Sequence, residues 1–404
     1  MLGEHIKKLR KQKKLTLEAL AGKELSKGML SLIENNKANP SMESLSYIAK
    51  RLDVDVTDLL DAVSSEELRG ILEKAEKIYN DPDQKKADKY IQLIGLIEPL
   101  WEVIPQGYEA ARLLEIYSYS LWKEEKENWL EVSEYAAKMF DQLNISTNRA
   151  SIAIFWVNQK FLEHKYDEAL TIFLQERKTI ETTFAYIDPL TRLDLDYHEA
   201  ILHFAVGSSQ SAIRIMENAI LFSKEKKVFY RIDDLYRLAA CEGMLSKDEK
   251  KKNFYLEKLK QYGEFADNKF SLYFYKLFHI MALISEEKEY EKALEEVDQL
   301  LSDSDTLEFY DSWFTLEKGK ACYYLGRYEE ALFLLNKVVI PDVHHPFDLS
   351  ILYVVDTFIA LCHRKLGDKQ AASQSIEQAY ANYNSLPSTP FKEFTMEVYG
   401  EMKK

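Results

Sequence analysis

One phrase recurs along most of this chain: an apolar helical stretch, a short polar turn, and a second helix opened by acidic residues and alanine. It is clearest in "FLEHKYDEALTIF", "ISEEKEYEKALEEV", "YYLGRYEEALFLL" and "HRKLGDKQAASQSI", and looser in "WKEEKENWLEVSEYAAKMF", "FAVGSSQSAIRIMENAI" and "GMLSKDEKKKNFYLEKL", seven copies in all. Successive turns fall about 40 residues apart, a period that specifies stacked helical hairpins, each burying its apolar face on the next. Only 13 Gly and 9 Pro punctuate 404 residues, and apolar residues return at three- and four-residue spacings, so the fold class is all-α with almost no strand.

Charge divides the chain. Its formal net charge is −14, yet Met1 to Asp61 holds 11 Lys+Arg against 9 Asp+Glu, a balance of +2 that leaves −16 on the remainder. Only that head suits a phosphate backbone. Cys241, Cys322 and Cys362 stand singly in apolar helical patterns and read as buried reduced thiols, which points to a reducing compartment. The start "MLGEHIKKLRKQ" is amphipathic, and no later run reads as the roughly 18 apolar residues of a membrane helix. A cytoplasmic protein without a membrane partner is expected.

Within the head, Leu2 to Leu60 resolves into about five short helices. Ile6 and Leu9 mark the inner face of the first, and Thr16, Ser26 and Ser41 are placed to cap the second, third and fourth. In the third, Met29, Leu30 and Ile33 are expected to face inward, with Lys27, Gly28, Ser31 and Leu32 on or near the outer side. Asn35 and Asn36 suit the helix exit because Asn tolerates the left-handed conformation. "VTDLLD" closes the unit with a fifth helix.

The stretch "LRKQKKLTLEALA…LSKGMLSLIENNKANPSMESLSYIAKRLDVDVTDLL" resembles the helix-turn-helix domain of the Xre/Cro/phage-repressor family, a lambda-repressor-like five-helix unit. The anchors are Arg10, Leu15-Thr16, Leu20-Ala21, Ser26, Ile33-Glu34-Asn35, Pro40-Ser41, Leu45 and Ile48-Ala49. The resemblance implies that the third helix enters the major groove of double-stranded DNA, with Lys27, Gly28, Ser31 and Leu32 as readout positions. Asn36, Lys37, Asn39 and Ser41 are then implied phosphate contacts. Arg10 and Glu34 are read as an internal salt bridge locking the first helix to the third.

The chain divides on this reading into a DNA-binding head at 1–61, a helical connector at 62–84 around the turn signal "NDPD", and a repeat domain at 85–404. The copy from Gly319 to Leu335 resembles a tetratricopeptide repeat, with Gly319, Leu325-Gly326, Tyr328 and Ala331 at its small and aromatic packing positions. That likeness implies a right-handed α-solenoid whose concave surface receives a peptide or a partner helix. There is no glycine-rich phosphate loop, nucleophile elbow or HExxH, so no catalytic residue, cofactor or metal site is expected. His344 and His345 read as loop residues, and His203 has no assigned role.

Head and body together are similar to the cytosolic peptide-pheromone receptors of Gram-positive bacteria, the Rap/PlcR/NprR/Rgg type, with the PlcR/NprR branch nearest in size and order. The resemblance implies a homodimeric transcription regulator switched by a short signalling peptide held by polar side chains on the first helix of each repeat. Asn158, Tyr197, His198, Arg237, His279, Glu317 and Asp356 are the candidates. Asn158 is preferred because it sits in the apolar run "IAIFWVNQKFL", where an amide needs a partner. Tyr119, Trp122, Tyr236, Tyr275 and Trp313 are candidates for pocket walls. Two other readings stay open: a Rap-like body that captures a response regulator of a phosphorelay, and a repressor answering a metabolite.

Overall fold

A computed structural model describes residues 2–56, 59, 65–82, 86–101, 103–302 and 308–404, and among these there is no strand. The chain forms two compact units. One comprises 1–152 with 182–186, the other 153–181 with 187–404.

The first unit opens with α1 (Leu2–Gln12), α2 (Leu17–Ala21), α3 (Lys27–Glu34) and α4 (Met42–Leu52). The three expected caps are in place: Ala19 N donates to Thr16 Oγ1 at 3.0 Å, Met29 N to Ser26 Oγ at 3.1 Å and Ser44 N to Ser41 Oγ at 3.2 Å. Each satisfies an otherwise orphaned backbone donor and contributes about 1 kcal/mol. Ile6, Leu20, Leu30, Ile33, Leu45, Ile48 and Leu52 make the core. Met29 corrects the sequence reading, being 45% exposed. Leu30, Ile33 and Glu34 share the buried stripe, and a residue one position before Leu30 is turned about 100° away from it. Of the fifth helix expected over "VTDLLD", Val56 and Leu59 pack on this core and the other four residues lie outside the described ones.

Arg10 and Glu34 form the expected internal bridge. The guanidinium donates through Nε at 2.6 Å and Nη2 at 2.8 Å to the two carboxylate oxygens, while Nη1 holds the Leu15 carbonyl at 2.8 Å. Gly3 allows α1 to approach α3, since a Cβ there would lie 2.0 Å from the Ile33 carbonyl oxygen. Asn36 leaves α3 in the left-handed region at φ 55° and accepts a hydrogen bond from Gly3 N at 2.8 Å.

The unit continues with α5 (Ser65–Tyr79), α6 (Lys86–Ile97), α7 (Tyr108–Lys123) and α8 (Trp129–Gln142). The connector of the sequence reading therefore contains a full helix. It is tied to the first hairpin by Arg112, which bonds Glu76 on α5 at 2.6 Å and Glu115 on its own helix at 2.9 Å.

Next come α9 (Ser146–Leu162) and α10 (Tyr166–Thr183), followed by α11 (Pro189–Ala205), α12 (Ser209–Lys226), α13 (Ile232–Leu245), α14 (Glu249–Phe265) and α15 (Lys269–Ala282). A π-helical turn over Leu283–Glu287 leads to α16 (Tyr290–Ser302), α17 (Glu308–Tyr324), α18 (Tyr328–Leu335), α19 (Pro346–Leu366), α20 (Lys369–Tyr383) and α21 (Pro390–Met402). The seven phrases coincide with the turns of seven consecutive helix pairs, α7/α8 to α19/α20. Each turn carries a residue at positive φ one or two positions after its first helix, the π-helical turn counted with α15: Glu125, His164, Gly207, Lys247, Lys288, Gly326 and Gly367, spaced 38 to 43 residues apart, with Asn128 a second one in the first turn. The sequence period is the period of a left-handed turn residue. Only three of the seven are glycine, so the copies look degenerate although the backbone repeats.

Small residues let paired helices close. A Cβ on Gly319 would meet the Leu335 side chain at 2.7 Å, and one on Gly243 would meet the Lys252 backbone nitrogen at 2.6 Å. Leu335 can swing aside, whereas a backbone atom cannot. Gly243→Ala is therefore expected to lower stability by about 1–3 kcal/mol, read from a denaturant midpoint, because α13 and α14 must part. Helix α19 departs from the sequence expectation: 21 residues long, it is apolar enough over an 18-residue window to cross a membrane by length and composition, but most of that window is buried inside the unit. It serves as a core helix.

Candidate functional site

Two surfaces carry chemistry. The first is the outer side of α3 and its exit, where Lys27, Gly28, Leu32, Asn36, Lys37, Asn39 and Ser41 are exposed and Ser31 is half-buried. Met29 and Leu32, 45% and 44% exposed, put two apolar side chains among these polar ones. Lys27 is held by Glu18 of α2 at 2.6 Å, and that hydrogen bond, with the lysine's charge, keeps the Glu18 carboxyl below its usual range. Asn36 and Ser41 already have structural duties, the first holding Gly3 and the second capping α4. The face combines cations and amides suited to phosphate oxygens with apolar groups suited to base methyls.

The second surface is a cavity of about 230 Å³ within the second unit. Phe161 of α9, Tyr197, Ile201 and Phe204 of α11, Phe274 of α15 and Phe347 of α19 supply its apolar walls. Asp234, Arg237 and Glu242 enter from α13, His345 and Asp348 from the start of α19, and Thr389 from the start of α21. Asp234 is ion-paired to Arg231 at 2.9 Å and to Arg237, which also lies 4.7 Å over the Phe270 ring. The Arg237 Nε is buried without a hydrogen-bond partner. Glu242 is matched by Lys251 at 2.6 Å.

Asp348 differs from the other two acids, making no hydrogen bond or ion pair with any described residue. Burial pushes its carboxyl up to about 6, against the opposing pull of Arg237. His345 caps α19 by accepting from Phe347 N at Nδ1, 3.1 Å, and burial pushes its imidazole down to about 4 despite the Ile201 carbonyl. It is neutral at physiological pH.

Of the candidates read from the sequence, Tyr197 and Arg237 line this cavity together, and the other five lie elsewhere. Asn158 is exposed, which removes the reason for preferring it: the amide faces solvent and needs no protein partner. His198 bonds the Asp194 carbonyl through Nδ1 at 2.7 Å, and its pKa is lowered chiefly by burial. His279 pairs with Glu296 at 3.4 Å. Glu317 is buried against Lys320 at 2.8 Å, and Asp356 accepts from Asn382 at 2.9 Å. Among the aromatic candidates, Tyr236 and Trp313 are core residues, Tyr275 stacks on His279, and Tyr119 and Trp122 pack together in the first unit.

Sequence reasoning missed Met29, Asp234, His345 and Asp348. The signal for Asp348 was an acid at the head of the long apolar run "FDLSILYVVDTFIALC", but first-turn acids are common because they complement the helix dipole. Beside the cavity walls Phe161 and His345, the loop before α19 is fastened to the α9–α10 turn: Tyr166, whose ring lies 5.2 Å from that of Phe161, donates through Oη to the His344 carbonyl at 2.7 Å, and the His164 and His344 rings approach at 3.4 Å.

The helix-turn-helix family model matches residues 6–59. Over 84 residues the chain is 40% identical to the HTH-type transcriptional regulator SinR of Bacillus subtilis (strain 168), an alignment spanning 20% of this chain and 76% of that protein. Among solved structures it is similar to the competence regulator ComR from Streptococcus vestibularis in complex with its cognate signaling peptide XIP, at 21% identity and TM-score 0.36, over 68% of this chain and 95% of that one. It is also similar to Bacillus thuringiensis PlcR in complex with the peptide PapR7 and DNA, at 16% identity and TM-score 0.22, over 99% and 97%.

Proposed function

The chain belongs to the helix-turn-helix family of transcriptional regulators, and from that premise we propose that it binds operator DNA through α3 and is switched by a short signalling peptide held in the second unit. The observation that carries the reading is the outer face of α3, which leaves Lys27, Gly28 and Leu32 exposed while the opposite side is locked down by the Arg10–Glu34 bridge. In this reading Ser31 joins them at base edges, and Asn36, Lys37, Asn39 and Ser41 position the head on phosphates. The protein acts in the cytoplasm as a homodimer, whose two reading helices must reach half-sites about 34 Å apart. A ligand that prefers one arrangement of the repeats shifts the population able to meet that spacing, and about 1.4 kcal/mol of preference moves the ratio tenfold.

Lys27→Ala with Lys37→Ala tests the head. Affinity for random-sequence duplex DNA at low salt is expected to fall at least tenfold, with a shallower salt dependence, while the helical circular dichroism is unchanged. Unchanged affinity sinks the assignment. Calorimetry of the full chain against the processed peptides of small secreted reading frames next to its gene tests the sensor. A second reading, a repressor answering a metabolite, is favoured by one observation: the cavity's 230 Å³ is below the usual range of about 300–1,000 Å³ for ligand pockets and admits one residue-sized group.

A further inference from the structure

We propose that the cavity of the second unit receives a protonated primary amine with an apolar body, its ammonium group seated on the Asp348 carboxylate. The proposal rests on the reading of this unit as the sensor and names the chemistry the sensor selects.

The argument is one of matched and unmatched charge. Three carboxylates line the cavity, and two are neutralised within the protein, Asp234 by Arg231 and Arg237 and Glu242 by Lys251. Asp348 alone of the three has no partner. Its near cation, Arg237, is committed to Asp234, and His345 beside it is neutral with Nδ1 occupied by the cap. Asp348 is half-buried, and its carboxylate lines the cavity without a hydrogen bond or ion pair, so a ligand cation entering there supplies the charge partner that the protein does not. The remaining walls, Phe161, Phe204, Phe274 and Phe347, set the rest of the ligand's character as apolar. Two buried, unbonded donors on the same lining fit the same guest: the Arg237 Nε and the His345 Nε2, which carries the ring proton while Nδ1 accepts the cap, can each serve a carbonyl oxygen near the amine. An amine and a carbonyl separated by one carbon is the pattern of an amino-terminal residue. A metal cation is a poorer match, because no group of three His, Cys, Asp or Glu stands together among the described residues.

The test uses the full chain at neutral pH with two probes, L-phenylalaninamide, whose primary amine can be protonated, and N-acetyl-L-phenylalaninamide, whose capped nitrogen cannot, followed by calorimetry. The charged probe is expected to bind at least tenfold more tightly than the acetylated one, and Asp348→Asn is expected to abolish the difference. Equal binding of the two probes, no binding of either, or an undiminished preference in Asp348→Asn overturns the proposal. A tetrapeptide with amino-terminal Phe distinguishes the sources: if it binds and its acetylated form does not, the amine belongs to a peptide. If only phenylalaninamide binds, the guest is a small amine, and the charge assignment stands in either case. Duplex-DNA affinity is measured on the same samples. Its loss in the two-lysine variant concerns the head alone, so failure here and failure of the regulatory reading are told apart.

Discussion

Arg10→Ala is expected to destabilise the helix-turn-helix head by about 3–5 kcal/mol, the typical cost of stranding one member of a buried ion pair. Glu34 is 2% exposed and takes two hydrogen bonds from this guanidinium. Without it the carboxylate must either remain charged in the core or take up a proton. The third arm of Arg10, on the Leu15 carbonyl, is lost as well, and with it the tie between the end of α1 and the start of α2. Hydrogen exchange resolves the effect: amides of α1 and α3 lose protection while those of α19 and α20 keep theirs. Arg10→Met combined with Glu34→Leu recovers most of the loss if burial of an unpaired charge is the cause. An Arg10→Ala protein with undiminished protection would refute this account of the bridge.

The second large effect has the opposite sign. Asp348→Asn is expected to stabilise the protein at pH 7.5 by about 1–3 kcal/mol, since one pKa unit corresponds to about 1.36 kcal/mol. The carboxyl sits at about 6 in the folded chain against an ordinary 3.8, so the fold prefers it protonated. The contribution of Asp348 itself is therefore fullest below 3.8 and declines as pH rises towards 6; above that its penalty is complete. The gain from Asn should vanish in acid and grow across that window. The groups that share its field are Arg237, Asp234 and Cys241 on α13, Tyr197 on α11, Tyr310 on α17 and the neutral His345. Arg237 and the tyrosines keep their protons over this range, but His345, pushed down from 6.5 to about 4, contributes across it with the opposite sign, so the Asp348 effect is read as the difference between the unaltered chain and Asp348→Asn at each pH. A melting temperature that does not rise in Asp348→Asn at pH 7.5 would refute the assignment. Higher stability with lost amine selectivity is the expected signature of a residue kept for binding.

The parts of the molecule legible in the sequence are those written in local pattern. The hairpin period and the caps at Thr16, Ser26 and Ser41 follow from spacing and local pattern, whereas the Arg10–Glu34 bridge is implied by the resemblance to the helix-turn-helix family. Met29 was misplaced because an eight-residue helix offers too few apolar positions to define its stripe. The cavity was only half found for a different reason. Its walls come from residues between Phe161 and Thr389, and no short window contains the information that Asp348 is unpaired while Asp234 and Glu242 are not. Asn158 is exposed, not buried, because its apolar neighbours in sequence point elsewhere around the helix.

The link between Tyr166 and the His344 carbonyl has a kinetic consequence. An array of hairpins that touch only their neighbours has low contact order, so it can nucleate anywhere and fray from either end. A contact between residues 178 apart in sequence cannot form until the intervening hairpins have docked. The second unit should therefore fold in two phases, fast growth of helical pairs and then a slower cooperative latch, and Tyr166→Phe should speed unfolding more than it slows refolding.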